Sequence, residues 1–316
     1  MQKQKRNFLL ILSLVIMFFG YNDLKSNGWI TKGNTSLFLN EVTLSNWAKG
    51  GESQVALTGL FGYLINYYAP DSNFIWENAF STGYGFQTSD QYSYRKNEDK
   101  LELDSRTGYR AIQQFYYSLS FSFQTQFDKG YKYPDDSNIV SKFFAPAYFI
   151  LSLGMDFKPT NNFSVSFSPI SGRLILVEDN ALANAGSYGV TAAKYDSTGK
   201  IISPGEHSRF DFGVAASVNY IFSPMENINI ATKLDLYNNY TDPNIGNRRN
   251  IDVNSETTVN LKVNSYISAS IFLHLIYDQD IPVQIFKTIN GAKTFVGVGP
   301  RLQIKQTLGI GFSYNL

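Results

Sequence analysis

The stretch from Phe115 to Phe127, FYYSLSFSFQTQF, alternates large apolar and small polar side chains almost without exception. Phe115, Tyr117, Leu119, Phe121, Phe123 and Phe127 share one parity, and Ser118, Ser120, Ser122, Gln124 and Gln126 share the other. Successive side chains of a strand point to opposite faces, so this pattern specifies a strand with one greasy and one polar face. Two architectures accept such a strand: a soluble β-sandwich with the Phe face inside, or a membrane barrel with the Phe face in lipid.

The C-terminal stretch repeats the pattern. Leu302, Ile304, Leu308, Ile310, Phe312, Tyr314 and Leu316 share one parity, broken only by Gln306. A barrel in lipid needs such a final strand, because it must close the sheet against the first and leave no open edge. Upstream, Val55, Leu57, Phe61, Tyr63, Ile65 and Tyr67 mark a second strand, and Phe74, Trp76, Phe80, Tyr84 and Phe86 a third, joined by the turn Ala69-Pro70-Asp71-Ser72. Tyr67 and Trp76 flank that turn as interface aromatics. The first strand is weaker: Phe38, Val42 and Leu44 form its apolar set, Leu37 and Leu39 oppose them, and Gly50-Gly51 ends it.

The polar segment SDQYSYRKNEDK reads as a loop before a fourth strand, Leu101 to Ile112, which Gln113-Gln114 connects to the fifth. Strand six is expected from Phe143 to Phe157. Strand seven begins FSVSFS and changes parity near Pro169 to Gly172, as a β-bulge would require. The longest loop, about Asp179 to Ser208, precedes strands eight (Phe210 to Phe222) and nine (Ile228 to Tyr240). Strands ten (Ile251 to Val263) and eleven (Tyr266 to Tyr277) flank the turn Asn264-Ser265, and a Gly- and Pro-containing segment leads to the last strand.

This makes about twelve strands with connections that alternate long and short, and that regularity decides between the architectures. Outer-membrane barrels have even strand numbers, short periplasmic turns and longer extracellular loops. Strands of about 12 residues, tilted near 40°, cover about 30 Å, whereas sandwich strands are nearer 5 to 6 residues. The expected fold is all-β: an antiparallel up-and-down transmembrane β-barrel of about twelve strands, residues 29–316, with both termini in the periplasm.

Composition narrows the chemistry. The chain has no cysteine, which excludes disulfides, thiolate nucleophiles and Cys-ligated metals, and only two histidines, His207 and His274. A net charge of +1 gives no reason to expect nucleic acid. Aromatic residues reach 16%, yet the mean hydropathy is too low for a bundle of membrane helices; alternating barrel strands reconcile the two. Lys3, Lys5 and Arg6 followed by the apolar run Phe8 to Gly20 read as a signal peptide over residues 1–20, with cleavage between 20 and 26. An uncleaved anchor is the alternative, but the run is shorter than the ~20 residues a spanning helix needs.

Four segments go beyond periodicity: NWAKGGES at Asn46 to Ser53, TQFDKGY at Thr125 to Tyr131, SKFFAPAY at Ser141 to Tyr148, and the ending LGIGFSYNL. On these the chain resembles an uncharacterised family of Bacteroidetes outer-membrane β-barrels, a domain of unknown function. The resemblance implies fold and location in the Gram-negative outer membrane after general secretory export, and no reaction. Its C-terminal strand would then address the barrel-assembly machinery; Leu316 departs from the usual aromatic ending.

With the aromatic parity in lipid, the opposite parity lines a lumen. In strand four that set is Glu102, Asp104, Arg106 and Arg110; strands eight to ten and twelve add Asp211, Lys233, Asp235, Glu256, Lys262 and Lys305. Two readings fit: an interior lattice of ion pairs filling a small barrel, or a pore whose charges steer solutes. Mixed signs argue against strong ion selectivity. His274, at membrane depth, points inward with Phe272 and Ile276, which makes it a lumen histidine before it makes it part of a lipid hydrolase. Asp-rich loops such as DKGYKYPDDSN lack calcium-loop spacing, and Tyr131, Tyr133, Tyr195 and Tyr240 suit saccharide, protein or simply the membrane edge. No cofactor, metal site or catalytic residue is expected. The functions in view are a narrow porin-like channel for small polar solutes, an accessory subunit docked on other outer-membrane proteins, and, ranked below these, an outer-membrane phospholipase. Outer-membrane lipid is a partner in all three.

Overall fold

The computed structural model describes residues 28–42, 53–89, 91–242, 244–264, 267–279, 281, 283–289 and 291–315. The expected leader, the Gly50-Gly51 turn, Ser265 and Leu316 lie outside these residues. Among the described residues no helix is long and apolar enough to cross a membrane.

Twelve antiparallel strands close into one barrel: β1 (Trp29–Val42), β2 (Gln54–Tyr68), β3 (Phe74–Ser89), β4 (Tyr92–Ile112), β5 (Phe115–Thr125) and β6 (Ala147–Thr160) form the first half. The second half is β7 (Phe163–Leu176), β8 (Ser208–Met225), β9 (Ile228–Asn239), β10 (Asp252–Lys262), β11 (Ile267–Tyr277) and β12 (Gln303–Asn315). Every strand pairs with its sequence neighbours, and β12 returns to β1. Closure satisfies the backbone groups that an open sheet would leave exposed at its edges. The seam between β1 and β12 carries five described residue pairs, Asn34↔Asn315 through Phe38↔Gly311, against fourteen between β1 and β2.

Alternation decides which side chains leave the barrel. Leu119, Leu151, Leu153, Leu308 and Ile310 are exposed on the outer wall, and aromatic pairs ring it at both ends. At the short-turn end Trp29 contacts Tyr67 and Trp76 with ring centroids 5.1 and 5.9 Å apart, and Phe115 stacks on Phe157 at 4.8 Å. At the long-loop end Phe123 meets Phe149 at 4.8 Å and Phe212 meets Tyr240 at 6.3 Å. Phe115 and Phe123 stand at the first and ninth positions of β5, a separation of about 26 Å along the strand and ~20 Å along the axis at the usual tilt.

Strand β1 corrects the sequence reading of its face. Leu37 and Leu39 are the outward pair, 51% and 55% exposed, and Phe38 turns inward at 6%. Phe38 fits because β12 leaves room for its ring at Gly309, two residues from its register partner Gly311: a Cβ at Gly309 would stand 2.7 Å from the Phe38 ring. The parity change in strand seven is a bulge, since both neighbours of β7 slip register at Phe167 to Ser171. Gly154 of β6 makes room for it, as a Cβ would meet the Phe167 carbonyl oxygen at 2.1 Å.

The segment expected as a loop before strand four is strand. β4 begins at Tyr92, so β3 and β4 are joined by residues 90–91, and the alternation of long and short connections fails at this point. A slipped register between Gly85 and Phe86, where Asn97 is passed over, broke the period that would have revealed it. Asp99 binds this part of β4 to the next loop by accepting from the N–H groups of Phe127 and Asp128 at 2.7 and 2.9 Å. Strand six starts at Ala147, later than expected, after a short ribbon of Gly130–Tyr131 with Ile139–Ser141. The segment before the last strand forms another ribbon, Val283–Ile289 with Ala292–Gly299.

The longest loop is ordered. It opens with the short helix α1 (Asn180–Asn184), capped by the Asp179 carboxylate, which accepts from the N–H groups of Ala181 and Leu182. Leu182, Ala183 and Val190 bury themselves with Ala145, Ile175 and Val177, and Tyr148 and Tyr188 pack against this cluster. Lys142 pairs with Asp179 at 2.8 Å, and Tyr188 donates to the Val140 carbonyl at 2.6 Å. Burial of the Tyr188 phenol pushes its pKa up to about 12.

Candidate functional site

The inward parity encloses a cavity of about 1030 Å³. Its lining reaches from Ser72, Pro159 and Asn161 at the short-turn end to Asp278 and Ile281 at the long-loop end, so it extends through the barrel. Tyr148 belongs both to this lining and to the contacts of the loop cluster, which places the ordered loop at the long-loop mouth.

Glu102, Asp104, Arg106, Arg110, Lys233, Asp235, Glu256, His274 and Lys305 all line the cavity. Asp211 and Lys262 do not. Asp211 is 1% exposed and sealed into a cluster in which Arg209 and Arg173 reach it at 2.7 and 3.1 Å. Lys262 ends β10 at the short-turn edge and is exposed to solvent. The lumen has parted company with parity there because the strand has run out of barrel.

The charged row of β4 organises the interior. Glu98 pairs with Lys305 of β12, and Lys100 with Glu256 of β10 at 3.0 Å. Asp104 and Glu102 pair with Lys233 of β9 at 3.3 and 3.7 Å. Arg106 reaches Asp156 of β6 at 3.4 Å and donates to Ser166 of β7 at 2.6 Å; Arg110 donates to Tyr116 of β5 at 3.1 Å. One strand thus fans out to six others. β10 lies six places from β4 in the ring of twelve, so the Lys100–Glu256 pair spans the barrel's diameter.

Further pairs complete the lattice. Lys158 bonds Glu77 at the short-turn end, with the Tyr68 hydroxyl donating to the same carboxylate at 3.1 Å. Arg173 bridges Asp211 and Asp252, each at 3.1 Å, and lies 4.3 Å over the Tyr237 ring. Glu98 and Lys100 were missed in sequence only because their segment read as a loop; continued from Glu102, the same parity reaches both. Arg173 was hidden by the bulge, which moves it onto the inward set.

His274 faces the lumen, its Nε2 2.6 Å from Asn254 Oδ1 and 3.7 Å from Glu256. Its flanking residues Leu273 and Leu275 take the opposite parity on the wall, so the imidazole is screened from the outer face of the barrel. Tyr240 is bound to the scaffold, donating to the Pro169 carbonyl at the bulge at 3.1 Å. His207 Nδ1 sits 2.8 Å from the Val177 carbonyl oxygen in the ordered loop. Among the described residues no group of three or more His, Asp or Glu is placed to hold a metal ion.

A model of a family of proteins of unknown function, DUF3078, matches residues 39–131. No curated protein matches the chain. Among solved structures, an outer-membrane channel from Pseudomonas putida F1 is 15% identical, with 94% of this chain and 98% of that one covered at a TM-score of 0.38. The translocator domain of the autotransporter NalP from Neisseria meningitidis is 9% identical, with 99% and 95% covered at 0.36. The NanC porin is 8% identical, with 90% and 100% covered at 0.35. Likeness at this level carries no activity from one protein to another, and the barrel stands on its own closed strand order.

Proposed function

We propose that the chain is an integral outer-membrane β-barrel whose lumen is a narrow channel for small polar solutes. The membrane location is supported by the exposed aliphatic wall between two aromatic rings, since an apolar surface of that extent is costly in water and is what lipid requires. The short-turn end, which carries both chain ends of the barrel, then faces the periplasm. Secretory export, a Bacteroidetes source and delivery through the barrel-assembly machinery belong to the same reading, which assigns the chain no catalysis.

The observation that carries the channel is the polar cavity whose lining reaches from the Ser72 turn to Asp278. Its width is limited by ion pairs that cross it, so passage is confined to small solutes. Planar-bilayer conductance and liposome swelling with the refolded full chain test this: discrete small conductance steps are expected, and a folded, ion-tight barrel would overturn it. The diametric Lys100–Glu256 pair favours a second reading, a braced accessory subunit of a larger outer-membrane complex. Co-migration with other outer-membrane proteins on native gels in mild detergent is its mark; a lone monomer counts against it.

A further inference from the structure

Resting on the channel reading, we propose that the waist of the lumen selects cations over anions, and that Asp104 and Asp235 beside Lys233 are the residues that set this preference. The cavity's charges have mixed signs, but they are not distributed evenly. Toward the long-loop end Lys305 pairs with Glu98, and toward the short-turn end Lys158 pairs with Glu77. Arg106 is matched by the fully buried Asp156. Each of these pairs cancels.

The waist does not cancel. There Lys100 contacts Glu102 at 2.7 Å and Glu256 at 3.0 Å, while Lys233 contacts Asp104, Asp235 and Glu102 at 3.3, 3.5 and 3.7 Å. Two ammonium groups serve four carboxylates, leaving a net charge of −2 with His274 neutral. Lys233 has three N–H bonds to offer and three acidic side chains around it, so no carboxylate has a cation of its own. Asp104 and Asp235 are also the more open members, with side chains 34% and 35% exposed against 16% for Glu102. Their oxygens therefore face what passes.

The other side of the lumen adds no uncompensated cation: Lys158 of β6 is matched by Glu77, and Arg173 of β7 by Asp211 and Asp252. Ser120 and Ser122 of β5, Ser152 of β6, Ser164 of β7 and Ser217 of β8 line it with hydroxyls. Arg110 is without a carboxylate partner in the fan, but it stands six residues further along β4, about 20 Å of strand from Asp104 and beyond two Debye lengths at moderate salt. A net negative stretch of lumen with low-dielectric walls concentrates counterions where the ion pairs cross the path. The permeant class this waist favours is accordingly the small cation, inorganic or organic, with neutral polar solutes admitted along the serine wall and small anions held back.

The test is the reversal potential of the refolded full chain in planar bilayers under a KCl gradient. The expected K⁺ to Cl⁻ permeability ratio is about ten or more, the low end of the enrichment that focused fields produce. Asp104→Asn with Asp235→Asn brings the ratio close to one, and Lys233→Gln, which removes a cation from the same group, raises it above the native value. The two variants move the ratio in opposite directions, so a folding failure in one leaves the other decisive. A conducting native barrel with no cation preference, or a ratio that neither variant moves, overturns the selectivity assignment alone. Bilayers that stay silent with folded protein overturn the channel reading and the inference with it.

Discussion

The Arg106–Asp156 pair offers a quantitative test of how the barrel interior is held together. Asp156 is wholly buried; the Ser118 hydroxyl donates to it at 3.0 Å and Arg106 stands 3.4 Å away. At that separation two unit charges attract by about 5 kcal/mol at an effective dielectric of ~20. Arg106 keeps 22% of its side-chain exposure on the lumen side, so water returns part of that attraction. Arg106→Met strands a buried carboxylate and is expected to cost about 3 kcal/mol, the lower end for breaking such a pair. Asp156→Asn leaves the guanidinium with Ser166 and water and costs about 1 to 2 kcal/mol. The double variant should lose no more than about 2 kcal/mol, which gives a coupling of roughly 2 to 3 kcal/mol. Urea unfolding from lipid vesicles, followed by tryptophan emission from the girdle residues Trp29 and Trp76, measures all four proteins on one scale. Additive single costs, with coupling below about 0.5 kcal/mol, would refute a directly interacting buried pair.

Gly309→Val should push Phe38 out of its seat and cost about 2 to 3 kcal/mol through overpacking, read as loss of the compact, heat-modifiable band on cold SDS gels. Phe38→Ala in the same chain is expected to restore that band in part, and its failure to do so would show that the seam does not depend on this contact. The ordered loop should loosen in acid. Lys142 beside Asp179, then the N–H groups of Leu182 and Ala181, hold its carboxyl below the usual range. A depressed folded pKa means that the contribution is complete above the ordinary value of about 4 and is lost as pH falls through the lowered one. Protease cleavage within residues 179–207 should therefore rise in the native chain as pH falls below about 4. Asp179→Asn should cleave faster at neutral pH and show a flatter profile; a native profile with no acid rise would sink the account.

Strand count and order were legible because outward-facing and lumen-facing parities alternate wherever the ladder is regular. Phe115 to Phe127 and the C-terminal stretch show this at full strength. Reading failed where the ladder slips: at Asn97, which disguised the upper part of β4 as a loop, and at the β7 bulge, which hid Arg173. It failed for Phe38 for a different reason. Its inward seat depends on Gly309, a residue more than two hundred positions away, and no local pattern records that a partner strand has left room. The charges of the interior were visible as a set, whereas their pairing was not, since Lys100 meets Glu256 only after the ring has closed. The excess of carboxylates around Lys233 is a property of that closure.

The β1–β12 seam has a mechanical meaning. Parting two strands requires breaking the hydrogen bonds between them, and among the described residues this boundary is held by the fewest. Like a ring with a clasp, the wall should part first at this seam under load. Any force that parts the wall sideways is expected to meet its lowest resistance along the pairs from Asn34↔Asn315 to Phe38↔Gly311.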